Sequence, residues 1–270
     1  PILEPRRSSR PGRKVSLMSS EESKVGLFHR MLFRWHCRNF YPFKKRMTST
    51  ERRYLKVCFE LFDDFQEVSE TGFKKFSSFS YSHRVQGEQV NSSRIAYGSV
   101  ENPEAAQEAA APVLKERGIV LPSDVVDSEN ARFGGLGWDI EENQFKVYFR
   151  WLGLGALPGE LADLVKDINL EEHRRECLIS YTFLDDTLEE SKVYLYPQGE
   201  RELPEGVANE TWMVTSKRGL VHQYDLYYPS NWGARLNKTG RDIVAKYRTR
   251  QQTLDTINYT DENDFTLYFP

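Results

Sequence analysis

The sequence predicts an α+β fold in which roughly ten antiparallel strands close into a barrel with helices outside, preceded by a basic arm. Three observations predict it. Segments of period-two alternation follow one another in pairs across short turns. All but one of the pairs follow a helical segment, so a helix-strand-strand unit recurs about every 50 residues. Finally, the arm differs in composition from everything after it. Residues 1–48 read as this arm and residues 49–270 as the barrel domain.

The arm carries the charge asymmetry. Pro1 to Val57 holds fifteen Lys/Arg against four Asp/Glu, or +11, so the net charge of −3 leaves −14 for the rest. Pro1 to Ser20 is rich in Arg, Ser and Pro and poor in acid, which predicts no core. It also has the composition of the end of an organelle transit peptide, with Arg13 to Ser20 as the processing region of a plastid precursor. In Ser23 to Phe40, Leu27, Met31, Leu32 and Trp35 share one helical face and Arg30, Arg34 and Arg38 another, the pattern of a basic amphipathic helix. Tyr41-Pro42-Phe43 ends it. The partner-binding candidates are therefore Arg6, Arg7, Arg10, Arg13 and Lys14, with the apolar stripe Leu27, Met31, Leu32 and Trp35.

The barrel elements follow in order. Ser49 to Ser69 fits a helix capped by Ser49 or Thr50, with Tyr54, Val57, Cys58, Leu61, Phe62 and Phe65 as its apolar stripe. Phe73 to Val85 and Asn91 to Val100 read as strands around Gln86-Gly87-Glu88. Ala105 to Arg117 is an Ala-rich helix stopped by Gly118. Phe133 to Ile140 and Gln144 to Leu152 form a hairpin. Pro158 to Ile168 is a helix with proline near its first turn. Glu176 to Leu184 and Lys192 to Tyr196, then Thr211 to Thr215 and Leu220 to Tyr228, are two more hairpins. Asn231 to Leu254 contains a helix, and Thr256 to Thr260 pairs with Asp264 to Phe269. Between Tyr196 and Asn209, Pro204 and Gly206 predict a loop where the repeat would put a helix.

Alternation then orients the side chains. In Lys146-Val147-Tyr148-Phe149-Arg150-Trp151, Lys146, Tyr148 and Arg150 share a face opposite Val147, Phe149 and Trp151. In Lys192 to Tyr196, Lys192, Tyr194 and Tyr196 oppose Val193 and Leu195. An apolar layer under external helices needs the Val/Phe/Trp face, which turns the Lys/Tyr face into the barrel. A half-exposed sheet with its Lys/Tyr face in water gives the same alternation.

Lysine-x-tyrosine strands in repeated αββ units resemble the ABBA (αββα-barrel) aromatic prenyltransferases. The resemblance covers about Glu51 to Pro270 and is carried by Lys146-Val147-Tyr148-Phe149 and Lys192-Val193-Tyr194-Leu195-Tyr196-Pro197. It implies a ten-stranded barrel that holds a prenyl diphosphate while an aromatic acceptor is alkylated. Carried over by residue, Lys146, Tyr148, Lys192 and Tyr194 take the diphosphate role, supported by Arg150, Tyr224 and Tyr228. The long arm and the absent outer helix depart from the family, and no acidic residue stands out to orient the acceptor.

Other chemistry is weak. Cys37, Cys58 and Cys177 are scattered, which fits a reducing compartment. Sequons at Asn91, Asn209, Asn237 and Asn258 come without a secretory signal. His29, His36, His83, His173 and His222 lack metal-ligand spacing. Asp185 to Glu190 reads as a solvated turn. Gly134-Gly135-Leu136-Gly137 enters a strand and reads as a bulge or close packing rather than a phosphate loop. No run of the sequence is long and apolar enough for a membrane-spanning helix.

The leading expectation is a non-catalytic interaction protein. It would be a peripheral or linker subunit docked by its arm onto a membrane-associated assembly on the stromal side of a plastid thylakoid, such as a photosystem with its antennae; otherwise it is cytoplasmic. It would need no cofactor or metal. The enzyme alternative is the prenyltransferase, with prenyl diphosphate in the lumen. RNA binding through the basic, aromatic arm is a third reading, opposed by the acidic body.

Overall fold

The computed structural model describes residues 47–60, 79–98, 102–139, 141–199, 202–227, 233, 235–248, 254 and 256–269. The chain divides into Pro1–Tyr41 and Pro42–Pro270. The expected amphipathic helix, all the arm's partner-binding candidates, Cys37, Leu61 to Ser69, the beginning of the first predicted strand and Tyr228 lie outside the described residues.

Ten strands form one closed antiparallel sheet. They are β1 (Phe79–Gln86), β2 (Gln89–Tyr97), β3 (Ala131–Asp139), β4 (Gln144–Trp151), β5 (Cys177–Leu184), β6 (Thr187–Leu195), β7 (Asn209–Thr215), β8 (Gly219–Tyr227), β9 (Thr256–Asp261) and β10 (Asp264–Phe269). Each pairs with its neighbours in sequence, and β1 pairs with β10 from Tyr81↔Phe269 to Gln86↔Asp264. Closure leaves no edge strand to template aggregation. The hairpins put all five tight turns at one mouth of the barrel and the longer connections at the other.

Among the described residues five α-helices accompany the strands: α1 (Ser49–Glu60), α2 (Pro103–Glu116), α3 (Ser123–Val126), α4 (Gly159–Leu164) and α5 (Lys238–Arg248). The cap of α1 is Thr48, not Ser49 or Thr50. Glu51 N–H donates to Thr48 Oγ1 at 3.2 Å, and Thr48 N–H donates to Glu51 Oε2 at 2.7 Å. This reciprocal capping box needs a carboxylate three residues after the cap, and only Thr48 has one. In α2, Ala106, Ala110 and Val113 are buried at helical spacing, and Gly118 turns the chain at φ +69°. The helix α4 is shorter than Pro158 to Ile168. Its end tightens into three-residue turns, with Val165 N–H on Ala162 O at 3.3 Å and Ile168 N–H on Val165 O at 3.0 Å. Between Tyr196 and Asn209 the described residues are loop, as Pro204 and Gly206 predict.

The helices fix which sheet face is outside. From α1, the Tyr54 hydroxyl donates to Tyr97 O at 3.0 Å and its ring meets Trp138 at 6.0 Å. At the end of α2, the Arg117 guanidinium covers the Phe145 ring at 4.4 Å. From α5, Tyr247 OH lies 2.8 Å from His83 Nε2. Trp138, Phe145, Val147, Phe149, Trp151 and Ile179 belong to this apolar outer layer and are buried. The opposite parity faces the lumen. Gly135 marks a bulge in β3 at φ +146°, where an added Cβ would sit 2.1 Å from Tyr97 O, so the glycine run serves close strand approach.

Candidate ligand site in the barrel lumen

Directly opposed residues of antiparallel strands point the same way, so the register traces the lumen from strand to strand. Arg94 faces Asp139, Gly137 faces Lys146, Lys146 faces Thr182, Thr182 faces Glu190, and Ser180 links Tyr148 to Lys192. Tyr194 continues the row through Leu178, and Arg84 and Tyr268 close it from β1 and β10. Lys146, Tyr148 and Lys192 are buried. Lys146, Tyr148, Lys192 and Tyr194 thus share the lumenal face of β4 and β6, whose apolar alternates are claimed by the outer layer.

Arg150 has the same parity but sits near the end of β4 and pairs with Glu176; its Nη2 donates to Glu176 Oε2 at 2.9 Å. Tyr224 is a correction. It stands opposite Glu210 and Tyr259 on the outer face, while its neighbour Asp225 turns inward beside Asn258. A one-residue step along a strand reverses the side chain, so Tyr224 cannot share a site with Lys146.

Carboxylates among the lumenal cations escaped the sequence reading. Asp139 accepts from Arg94 Nε at 2.8 Å and Arg94 Nη2 at 2.9 Å, and Lys146 Nζ lies 3.7 Å from its Oδ2. Arg94 Nη1 donates to the Tyr148 hydroxyl at 3.2 Å. Lys192 Nζ is 2.9 Å from Glu190 Oε2, and Arg84 forks onto Asp264 at 3.1 Å. Asp225 accepts from Asn258 Nδ2 at 2.8 Å. Glu190 is a further correction: only Asp185 and Asp186 make the turn, and β6 begins at Thr187. Alternation runs unbroken from Lys192 through Ser191, so Glu190 faces inward two residues before Lys192, and the bulge comes only at Glu189. The same parity rule applied to Ser92-Ser93-Arg94-Ile95 would have found Arg94, and extended two residues back from Lys192 it would have found Glu190; nothing local marks Asp139 as lumenal.

The electrostatics follow from burial and pairing. Burial opposes ionisation of Asp139, but Arg94 and then Lys146 outweigh it and hold its carboxyl below the usual range. Glu190 behaves likewise beside Lys192. Burial, and after it Arg94, holds the Lys146 ammonium well below the ordinary lysine value, against the pull of Asp139. Burial also raises the Tyr148, Tyr194 and Tyr268 phenols, which stay protonated donors at neutral pH. Elsewhere, burial pushes the Cys58 and Cys177 thiols up to about 12, which makes them poor nucleophiles. The lumenal wall therefore presents hydroxyls beside paired cations and carboxylates.

No family model matches this sequence, and no curated protein matches it. Among solved structures, the crystal structure of NotF prenyltransferase is similar. It is 11% identical, covers 79% of this chain and 86% of that one, and superposes with a TM-score of 0.47. At that distance the likeness carries no functional argument. The barrel stands on its own strand register.

Proposed function

We propose that this chain is a non-catalytic interaction protein, a peripheral or linker subunit whose basic arm docks a rigid barrel onto a larger assembly at a plastid membrane. The observation that carries the reading is the matching of lumenal charge. Arg94 and Lys146 share Asp139, Lys192 holds Glu190, and Arg84 holds Asp264. A diphosphate entering this lumen would compete with carboxylates already at hydrogen-bond distance. An interior in which Arg84, Arg94 and Lys192 already hold carboxylates suits a folded scaffold. The +11 of Pro1 to Val57 supplies attraction to an anionic surface. The test compares the full chain with a version lacking residues 1–43 for binding to isolated thylakoid membranes. Binding is expected to vanish on truncation and to weaken at high salt. A truncated chain that still binds fully would move the interface to the barrel and overturn the docking mechanism.

A second reading, the prenyltransferase, is favoured by one observation: Lys146, Tyr148, Lys192 and Tyr194 line one lumenal wall. On this reading a prenyl diphosphate stabilises the folded chain by about 2.7 kcal/mol at a hundredfold excess over its dissociation constant. Lys192→Ala shrinks that shift. No thermal shift with any isoprenoid diphosphate removes this reading.

A further inference from the structure

The two lumenal amines are not equivalent. Lys192 has its own carboxylate, Glu190, at 2.9 Å. Lys146 has only the outer reach of Asp139, at 3.7 Å, and both oxygens of that carboxylate accept from Arg94 at 2.8 and 2.9 Å. The charged groups acting on Lys146 are the cations Arg94 and Lys192 and the carboxylates Asp139 and Glu190. Tyr148, its neighbour on the same face, is a neutral phenol. A buried primary amine among cations, with a counter-ion engaged elsewhere, is the setting in which lysine becomes a nucleophile.

A second observation points to an occupant beside it. Thr182 is the register partner of Lys146 on one side and of Glu190 on the other. It is 2% exposed, and among the described residues its Oγ1 has no hydrogen-bond partner. A buried hydroxyl left unpaired costs about 1–3 kcal/mol, so a polar atom from outside the chain, a water or a ligand, would stabilise the fold by pairing with it.

We propose that Lys146 captures a small uncharged aldehyde or ketone in the lumen as a reversible imine, with Thr182 Oγ1 hydrogen-bonding the ligand. The neutral amine adds its lone pair to the carbonyl carbon, and the carbonyl oxygen gains a proton to give a carbinolamine. That hydroxyl then leaves as water as the C=N bond forms, so one carbonyl compound and one amine give one imine and one water. No oxidant or reductant is consumed. An uncharged ligand fits because Arg94 and Lys192 already hold carboxylates, and conversion of Lys146 to a neutral imine adds no cation to be matched. The inference goes beyond the docking reading and does not depend on it.

The test uses the full chain, butanal as probe and sodium cyanoborohydride at pH 7 to trap the imine, with peptide mapping by mass spectrometry. Lys238, with a side chain 85% exposed, is the internal reference. Lys146 is expected to be labelled faster than Lys238, by about tenfold for each unit by which its pKa lies below the ordinary value. Its labelling rate should level off at a lower pH than that of Lys238. Lys146→Arg, which keeps a cation beside Asp139 and forms no imine, should lose this label while retaining the native circular dichroism. Labelling of Lys238 with Lys146 untouched in the folded chain would overturn the proposal, as would labelling of Lys146 only after denaturation. Either result is read on the wild-type chain and needs no variant to fold.

Discussion

Asp139→Asn tests the lumenal network where its charges are most concentrated. Asp139 is 2% exposed, receives two guanidinium hydrogen bonds from Arg94 and faces Lys146 at 3.7 Å. Asparagine has nearly the same shape, so no cavity forms, and the change isolates the charge. Removing one partner of a buried ion pair costs about 3–5 kcal/mol because the other charge is stranded. The amide oxygen still accepts one bond from Arg94, and Lys146 is already biased toward its neutral form. We therefore expect the low end, about 3 kcal/mol, read as a fall in the urea midpoint at unchanged slope. The pH dependence carries a sign. The folded pKa of Asp139 is depressed, so its contribution is complete above the unfolded value, near 4, and is lost as pH falls through the folded value. The gap between wild type and variant should therefore narrow in acid. A deficit below about 1 kcal/mol at pH 7 would refute the reasoning, since it would mean that the network behaves as a solvent-screened surface pair.

Three further perturbations probe the shell around the barrel. Glu51→Ala removes the capping-box carboxylate and the acceptor of Arg117 Nε at 2.8 Å; a loss of about 2–3 kcal/mol in chemical denaturation is expected, with Glu51→Gln milder. Gly240→Val places a Cβ 2.7 Å from the Phe265 ring and should cost about 1–3 kcal/mol by overpacking, with partial rescue by Phe265→Leu; equal stability of the single and double variants would refute the contact. His83 lies between Ser93 Oγ and Tyr247 OH, and burial, with Lys246 adding, lowers its pKa to about 4. The unfolded chain then binds the extra proton between pH 6.5 and about 4, so melting temperature should fall with pH across that window, and His83→Gln should flatten the slope.

Local sequence determined the elements of this protein and the faces of its informative strands. Strict alternation in Lys146 to Trp151 and Lys192 to Leu195 sorts polar from apolar side chains, because period two is a property of the extended chain itself. Gly118 and Pro204 punctuate the repeat through backbone conformations that hold in any surroundings. The cap of α1 was legible too, in the Thr48-x-x-Glu51 pattern, although Ser49 and Thr50 offered competing hydroxyls. What only the tertiary structure decided is which charges meet. Asp139 pairs with Arg94 across β2 and β3, forty-five residues apart in sequence. Tyr224 and Asp225 differ by one position yet belong to opposite sides of the wall. Glu190 reads as part of a solvated turn until strand pairing extends β6 back to Thr187 and sets it beside Lys192 on the lumenal face. Ion pairing depends on register and closure, which sum small preferences over ten strands, and no short segment encodes that sum.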